Sequence, residues 1–181
     1  MPRQVTFRRL TDDDLGRLHE WLNDPDVVAW WEGDDVTWDA VVADYGSEGD
    51  PVYEHWVPIV GARPVGWIQC YAAVDAPEEC GPWFDLGVER TAAGIDYLVA
   101  PEAGRGEGLG SAMIVAFVDD IVFGRHPEWT QVAAGPFEAN VPSWRALEKA
   151  GFRFVGTIDD ADGPCRLMAK DRPDVPDGVA G

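Results

Sequence analysis

A short apolar run, Gly94-Ile-Asp-Tyr-Leu-Val-Ala100, passes through Pro101-Glu-Ala into Arg105-Gly-Glu-Gly-Leu-Gly110-Ser111. The pattern reads as a strand entering a glycine-rich turn that opens a helix. Four glycines in that stretch, Gly104, Gly106, Gly108 and Gly110, leave backbone amides uncovered by side chains. Amides at the positive end of a helix dipole form a seat for phosphate or pyrophosphate, so the turn implies a phosphorylated ligand. The helix that follows, Leu109 to Phe123, carries Leu109, Met113, Ile114, Phe117 and Ile121 around most of its circumference and is expected to be well buried.

Strand and helix signals continue on both sides of this motif. Val5 to Leu10 reads as a first strand, and Thr11-Asp-Asp-Asp14 as an N-cap for a helix with Leu15, Leu18, Trp21 and Leu22 on one face. Thr37 caps a second helix with Val41, Val42 and Tyr45. His55 to Val60 and Pro64 to Tyr71 form a hairpin around Gly61-Ala-Arg-Pro64. Ala72 to Arg90 is expected to be a long irregular loop holding Trp83, Phe84 and several carboxylates. Gln131 to Ala134 is a short strand, Ser143 caps a helix from Trp144 to Ala150, and Gly151 ends it. Phe152 to Ile158 and Cys165 to Lys170 close the pattern. The order β-α-α-β-β-β-α-β-α-β-β specifies an α/β (α+β) chain with a mixed sheet and helices on both faces. A single domain is expected over residues 1–172, followed by a frayed tail at 173–181.

With 181 residues, 46% hydrophobic content and nine tryptophans, the chain can build a sizeable core. Its net charge of −19 opposes nucleic acid and anionic membranes as partners and favours a polycationic ligand. Salt-adapted solubility would explain the same acidity. Cys70, Cys80 and Cys165 show no metal or disulfide spacing, and His19, His55 and His126 have no metal-spaced partner, so no metal is expected. The Met-Pro-Arg-Gln start has no apolar signal region, which makes the cytoplasm the expected compartment.

Arg105-x-x-Gly108-x-Gly110 resembles the Q/R-x-x-G-x-G/A signature of the GCN5-related (GNAT) N-acetyltransferases. Asn140, with Trp144-Arg-Ala-Leu-Glu-Lys-Ala-Gly-Phe152, resembles their second motif. Further segments, Asp14 to Asn23, Trp30-Trp31, Gly94-Ile-Asp96 and Asp162-Gly-Pro164, are similar to the aminoglycoside 6′-N-acetyltransferases. The resemblance implies a GNAT fold, with a mostly antiparallel sheet splayed between the fourth and fifth strands. It also implies acetyl-CoA as cofactor, bound by Leu98, Val99, Arg105, Gly106, Glu107, Gly108, Leu109, Gly110, Ser111 and Asn140. It makes Asp96 the general base or amine-orienting group. An acidic acceptor cleft with aromatic walls would draw on Trp30, Trp31, Trp83, Phe84, Asp85, Asp96, Glu138 and Asp162, and Glu89 is a further candidate.

Two positions depart from the aminoglycoside pattern. Gly135-Pro136 stands where that family carries Asp-Pro, and Leu147 where its second motif has a tyrosine. The implied activity is transfer of an acetyl group to an aminoglycoside amine, 6′ or, in a kasugamycin-like compound, 2′, with resistance as the outcome. The alternative acceptors are a polyamine, a lysine-type siderophore precursor or a protein N-terminus, and a non-catalytic acyl-CoA-binding domain is the third reading. The chain is expected to act as a monomer or homodimer.

Overall fold

A computed structural model describes residues 4–31, 34–104 and 106–174. Arg105, Glu32, Gly33 and most of the expected tail lie outside the described residues. The elements in chain order are β1 (Val5–Arg9), α1 (Leu15–Leu22), α2 (Pro25–Val28), α3 (Trp38–Tyr45), β2 (Glu54–Val60), β3 (Arg63–Pro64) and β4 (Gly66–Ala72). Then come α4 (Pro77–Asp85), β5 (Ala92–Val99), α5 (Leu109–Phe117), α6 (Phe123–Arg125), β6 (Gln131–Ala134), α7 (Val141–Lys149), β7 (Arg153–Asp160) and β8 (Gly163–Asp171). A π turn, Val118–Val122, joins α5 to α6.

The strands form one sheet in the order β1-β2-β4-β5-β6-β8-β7, with β3 paired to β2. Each pairing is antiparallel except β5 with β6. That parallel pair is short: Ala92, Ala93 and Gly94 face Gln131, Val132 and Ala133, and the register then stops. From Ile95 to Val99 the strand keeps β4 on one side while its other edge stands open. This is the expected splay, since the expected fourth and fifth strands are β5 and β6 once the two-residue β3 is counted.

Strand alternation distributes the core over both faces of the sheet. Ile68 and Cys70 of β4, with Ala93 and Ile95 of β5, pack under α5 and α7 through Met113, Ile114, Phe117 and Leu147. Trp67 and Leu98, pointing the other way, meet Leu18 and Leu22 of α1 and Val41 of α3. Further along that second face, Tyr71 and Ala133 pack with Cys80 and Trp83 of α4. The start of α1 is fixed by Asp14, which accepts a forked pair of 2.7 Å hydrogen bonds from Arg8 and one from the Thr11 N–H at 3.0 Å.

Two local expectations are corrected. Ala72 to Arg90 is not irregular, because Pro77–Asp85 is helical despite Pro82 within it. Burial decides against propensity there: Pro77 suits a first helical turn, and Cys80 and Trp83, one turn apart, are sealed into the core. The last helix begins at Val141, with Pro142 in its first turn, instead of after a Ser143 cap. Gly151 does end it in the left-handed conformation (φ 92°), and the Phe152 N–H donates back to the Leu147 carbonyl at 3.0 Å.

Candidate active site

The site grows from two adjacent strand positions. Gln69 of β4 and Asp96 of β5 are register partners, and the Gln69 amide donates to Asp96 Oδ2 at 2.7 Å. Two residues along on the same face, Tyr71 lies directly over Gly94, where any Cβ would fall 2.3 Å from the ring. The ring therefore needs glycine beneath it. That seating carries the Tyr71 hydroxyl to Glu79 of α4, to which it donates at 3.1 Å, and Tyr53 closes edge-on with ring centroids 5.0 Å apart.

Gln69, Asp96, Glu79 and Tyr53 line the floor of a cavity of about 710 Å³, with Tyr71 and Gly94 packed outside its lining. One wall is aromatic: the Trp67 ring has His55 stacked at 5.8 Å, Tyr45 edge-on at 5.3 Å and Trp31 edge-on at 6.4 Å. The far wall is Ala134 to Phe137 of the β6–α7 connection, with Asn140 and Ser143 at the head of α7. Among the described residues, eight carboxylates line this space and no lysine or arginine does. Asp96 and Glu79 lie at the floor, and the other six, Asp34, Asp35, Asp44, Asp50, Asp160 and Asp162, complete the lining.

Crowding of like charges perturbs the titration of these acids. Burial raises Asp96 above the ordinary carboxylate range, against the Gln69 hydrogen bond that lowers it. Glu79 is pushed up to about 8, first by the charge of Asp96 and then by desolvation. Asp34 is raised by desolvation, with Asp44 and Asp162 adding to the effect. His55 moves the opposite way, down to about 4, because burial disfavours its cation, and Arg9 adds to this. At neutral pH the cavity therefore presents a dense negative field, a proton held at the Asp96–Glu79 pair, and a neutral imidazole. An amine arriving as ammonium meets both a counter-ion and a proton acceptor.

On the other side of the strand edge lies the glycine turn. Gly104, Gly106 and Gly108 take φ of 85°, 84° and 77°, and a Cβ at Gly104 or Gly106 would meet nothing within 4 Å. The cradle is thus open backbone leading into the N-terminus of α5, where the Ser111 hydroxyl donates to the Gly108 carbonyl at 3.0 Å. Beside it runs the unpaired edge of β5, with Asn140 across the gap. An anionic group held at the cradle, with an amide-bearing arm laid along the open strand edge, is what these residues fit.

The expected acceptor residues divide. Trp30, Trp31, Asp96 and Asp162 line the cavity, whereas Trp83, Phe84, Asp85 and Glu138 do not. Trp83 is 3% exposed and sits in the core, its ring 3.8 Å from where a Gly135 Cβ would lie. Phe84 packs in the same cluster under the Arg90 guanidinium at 4.9 Å. Asp85 is exposed at the end of α4, and Glu138 is exposed, its carbonyl accepting from Trp144 Nε1 at 3.0 Å. Glu89 also stays outside, beneath Gln131. Sequence reasoning missed Glu79, Gln69, Tyr71 and Tyr97. Strand alternation could have grouped Trp67, Gln69 and Tyr71 on one face, but Glu79 became visible only with α4 folded.

Of the histidines, His126 does find acidic company. Its Nε2 lies 3.0 Å from Glu54 Oε1, and Cys70 completes a cluster within 4.8 Å. Arg9 already holds the other Glu54 oxygen at 3.0 Å and Trp129 stacks on the imidazole at 3.8 Å. Both contacts give the pair a structural role.

A sheet split at one parallel pair, an anion cradle beside the split and an acidic cavity beyond it together define an acyl-CoA-dependent transferase. Residues 11–160 match the acetyltransferase (GNAT) domain family, and the chain belongs to it. Within that family it is similar to aminoglycoside N(6′)-acetyltransferase type 1 of Klebsiella pneumoniae, with 31% identity over 174 residues, 93% of this chain and 83% of that protein. It is also similar to the lysine N-acyltransferase MbtK of Mycolicibacterium paratuberculosis, 26% identical over 95% of this chain and 75% of that one. Among solved structures, AAC(6′)-Ib in complex with paromomycin and acetyl-CoA aligns with a TM-score of 0.82 at 32% identity, covering 93% of this chain and 94% of that one. The same enzyme in complex with coenzyme A and kanamycin aligns at 0.81, with 31% identity over 93% and 95% of the two chains.

Proposed function

We propose that this chain is an acetyl-CoA-dependent N-acetyltransferase whose acceptor is an amine of an aminoglycoside, the 6′-amine first among them. The observation that carries the reading is the cavity itself: eight carboxylates without a lysine or arginine among the described lining, set beside the open edge of β5. Acetyl-CoA, when bound, supplies an activated thioester. The cradle from residue 104 to Ser111, the edge at Leu98 and Val99, and Asn140 hold it.

Asp96 binds the incoming ammonium and removes its proton, which unmasks the nitrogen lone pair. The Gln69 hydrogen bond fixes its orientation. When Asp96 takes the proton, the charge that raises Glu79 is removed and Glu79 can ionise, so the pair keeps a negative charge at the site. Trp30 and Trp31 offer faces for sugar rings, and Asp34, Asp44 and Asp162 receive the remaining ammonium groups. Gly135 puts no carboxylate on the far wall, so the other carboxylates of the lining alone set how many amines are read. The acetyltransferase domain spans residues 1–172, works in the cytoplasm as a monomer or homodimer, and its product is an inactivated antibiotic.

The test is release of free CoA thiol from acetyl-CoA against kanamycin, gentamicin, kasugamycin, spermidine and lysine, with NMR of the product to locate the acetylated amine. Turnover confined to spermidine or lysine refutes the aminoglycoside reading. Asp96→Asn should lower kcat by roughly 10²–10⁴-fold with the fold intact, and a near-normal rate would assign Asp96 a structural role.

A further inference from the structure

On β4, Cys70 points to the opposite face of the sheet from Gln69 and Tyr71, away from the acceptor cavity. It is the register partner of Glu54 on β2, so thiol and carboxylate stand side by side on that face. His126, in the turn after α6, reaches the same place. Its Nε2 lies 3.0 Å from Glu54 Oε1, and one ligand atom from each of the three residues lies within 4.8 Å of the others. The histidine is well anchored: its carbonyl accepts from Arg172 at 2.6 Å, Trp129 stacks on the ring, and Glu128 Oε1 lies 3.3 Å from Nδ1. Nε2 is buried, and despite the nearby carboxylate it makes no aligned hydrogen bond among the described residues. Arg9 holds the second Glu54 oxygen, which leaves Oε1 for the histidine and the sulfur.

We propose that Glu54 Oε1, Cys70 Sγ and His126 Nε2 form a zinc site, with water as the fourth ligand. Sulfur, nitrogen and oxygen donors gathered in one small volume match the mixed thiolate, imidazole and carboxylate sets that Zn²⁺ takes. Tetrahedral bonds of about 2.0–2.2 Å to nitrogen and oxygen would hold those two atoms about 3.4 Å apart, so the 3.0 Å contact needs only a small outward shift. The surrounding contacts are of the kind that orient zinc ligands. Glu128 on the far nitrogen sets the tautomer and direction of the imidazole, and Arg9 on the far oxygen fixes the carboxylate. Charge closes as well, since the ion is matched by Glu54 and the Cys70 thiolate while Arg9 and Glu128 offset each other. Burial, with Glu54 beside it, keeps the Cys70 thiol protonated, so ligation sends one proton to solvent. Glu54 and His126 remain partly exposed, which gives the ion and its water a way in. The ligands come from three separate elements, so no sequence spacing announces them. The ion would tie β2 and β4 to the turn after α6, directly behind Gln69 and Tyr71, as a clamp on the strands that carry the active site.

The test uses the full chain, dialysed against a chelator and titrated with Co²⁺ as a spectroscopic stand-in for Zn²⁺, with excess Mg²⁺ to occupy the exposed carboxylates. A single equivalent should bind with a thiolate-to-cobalt charge-transfer band, which Zn²⁺ should abolish by displacement. Zn²⁺ should also raise Tm in a way that EDTA reverses. Cys70→Ser and His126→Gln should each lose the band, whereas Cys165→Ser, altered in the acceptor cavity, should keep it. Glu128→Gln changes a side chain that is 63% exposed and so spares the core. It should weaken Co²⁺ binding about tenfold by loosening the imidazole, which keeps the proposal falsifiable should Cys70→Ser unfold. A Co²⁺ complex with no thiolate band, or a band that survives Cys70→Ser or disappears with Cys165→Ser, overturns the site. Unchanged affinity in Glu128→Gln does so too. No reading here uses acetyl-CoA or an acceptor, so the outcome is independent of the proposed transferase activity.

Discussion

Gly94→Ala is the sharpest structural test of how the floor of the cavity is built. Gly94 is an ordinary strand residue with no left-handed backbone, so alanine costs nothing in φ and would narrow the unfolded ensemble, a gain of about 0.4–1 kcal/mol. The cost is steric. A Cβ there would stand 2.3 Å from Tyr71 Cζ, 2.4 Å from Cε2 and 2.6 Å from the hydroxyl oxygen, against a carbon–carbon optimum of about 3.5–4.0 Å. Tyr71 must therefore move by more than about 1 Å, yet it is 1% exposed and wedged against Tyr53. Overpacking of this kind costs about 1–3 kcal/mol. The displaced hydroxyl also gives up its hydrogen bond to Glu79, worth about 0.5–1.5 kcal/mol since Glu79 holds its proton at neutral pH. The balance is a net loss of roughly 0.5–4 kcal/mol. Urea denaturation should show a lower midpoint at unchanged slope, and Tyr71→Ala in the same background should restore part of it as a favourable coupling of about 1 kcal/mol or more. A Gly94→Ala protein within about 0.5 kcal/mol of wild type would refute the placement of Tyr71 over this glycine.

Two further expectations concern charge. Glu79 is raised from 4.5 to about 8 in the fold, so the folded chain holds that proton more tightly than the unfolded one. Its contribution to stability is complete below 4.5 and is lost as pH rises through about 8, and Glu79→Gln should flatten the decline in Tm across that window. A Tm profile for Glu79→Gln parallel to wild type would count against the Asp96–Glu79 contact. The acidic lining should also make acceptor KM rise roughly tenfold between low and about 0.5 M salt while acetyl-CoA KM changes less; an acceptor KM insensitive to salt would show that the carboxylates do not read cationic amines.

Much of the framework was legible along the chain because its signals are local. The glycine turn, the Asn140 and Glu148–Phe152 motif and the strands β4 and β5 depend on residues a few positions apart, and the structure places those strands close to the expected ranges. Helix α4 was not legible, since two prolines and a run of acids hide a segment whose helicity comes from burying Cys80 and Trp83. That omission cost the site Glu79 and wrongly brought Trp83, Phe84 and Asp85 to the cavity.

Sequence alone determined a mixed α/β sheet, a glycine-rich turn fit for an anion and an acidic, aromatic surplus, while the splay came only with the family resemblance. Periodicity and glycine spacing are properties of the chain itself, so they survive without coordinates. Only the tertiary structure decided which acids and hydroxyls meet. Asp96 meets Gln69 through strand register, Glu79 joins Tyr71 through the docking of α4, and Tyr97 reaches Ser143 across the gap between β5 and α7. Each of those contacts depends on where separate elements come to rest, which no local pattern encodes.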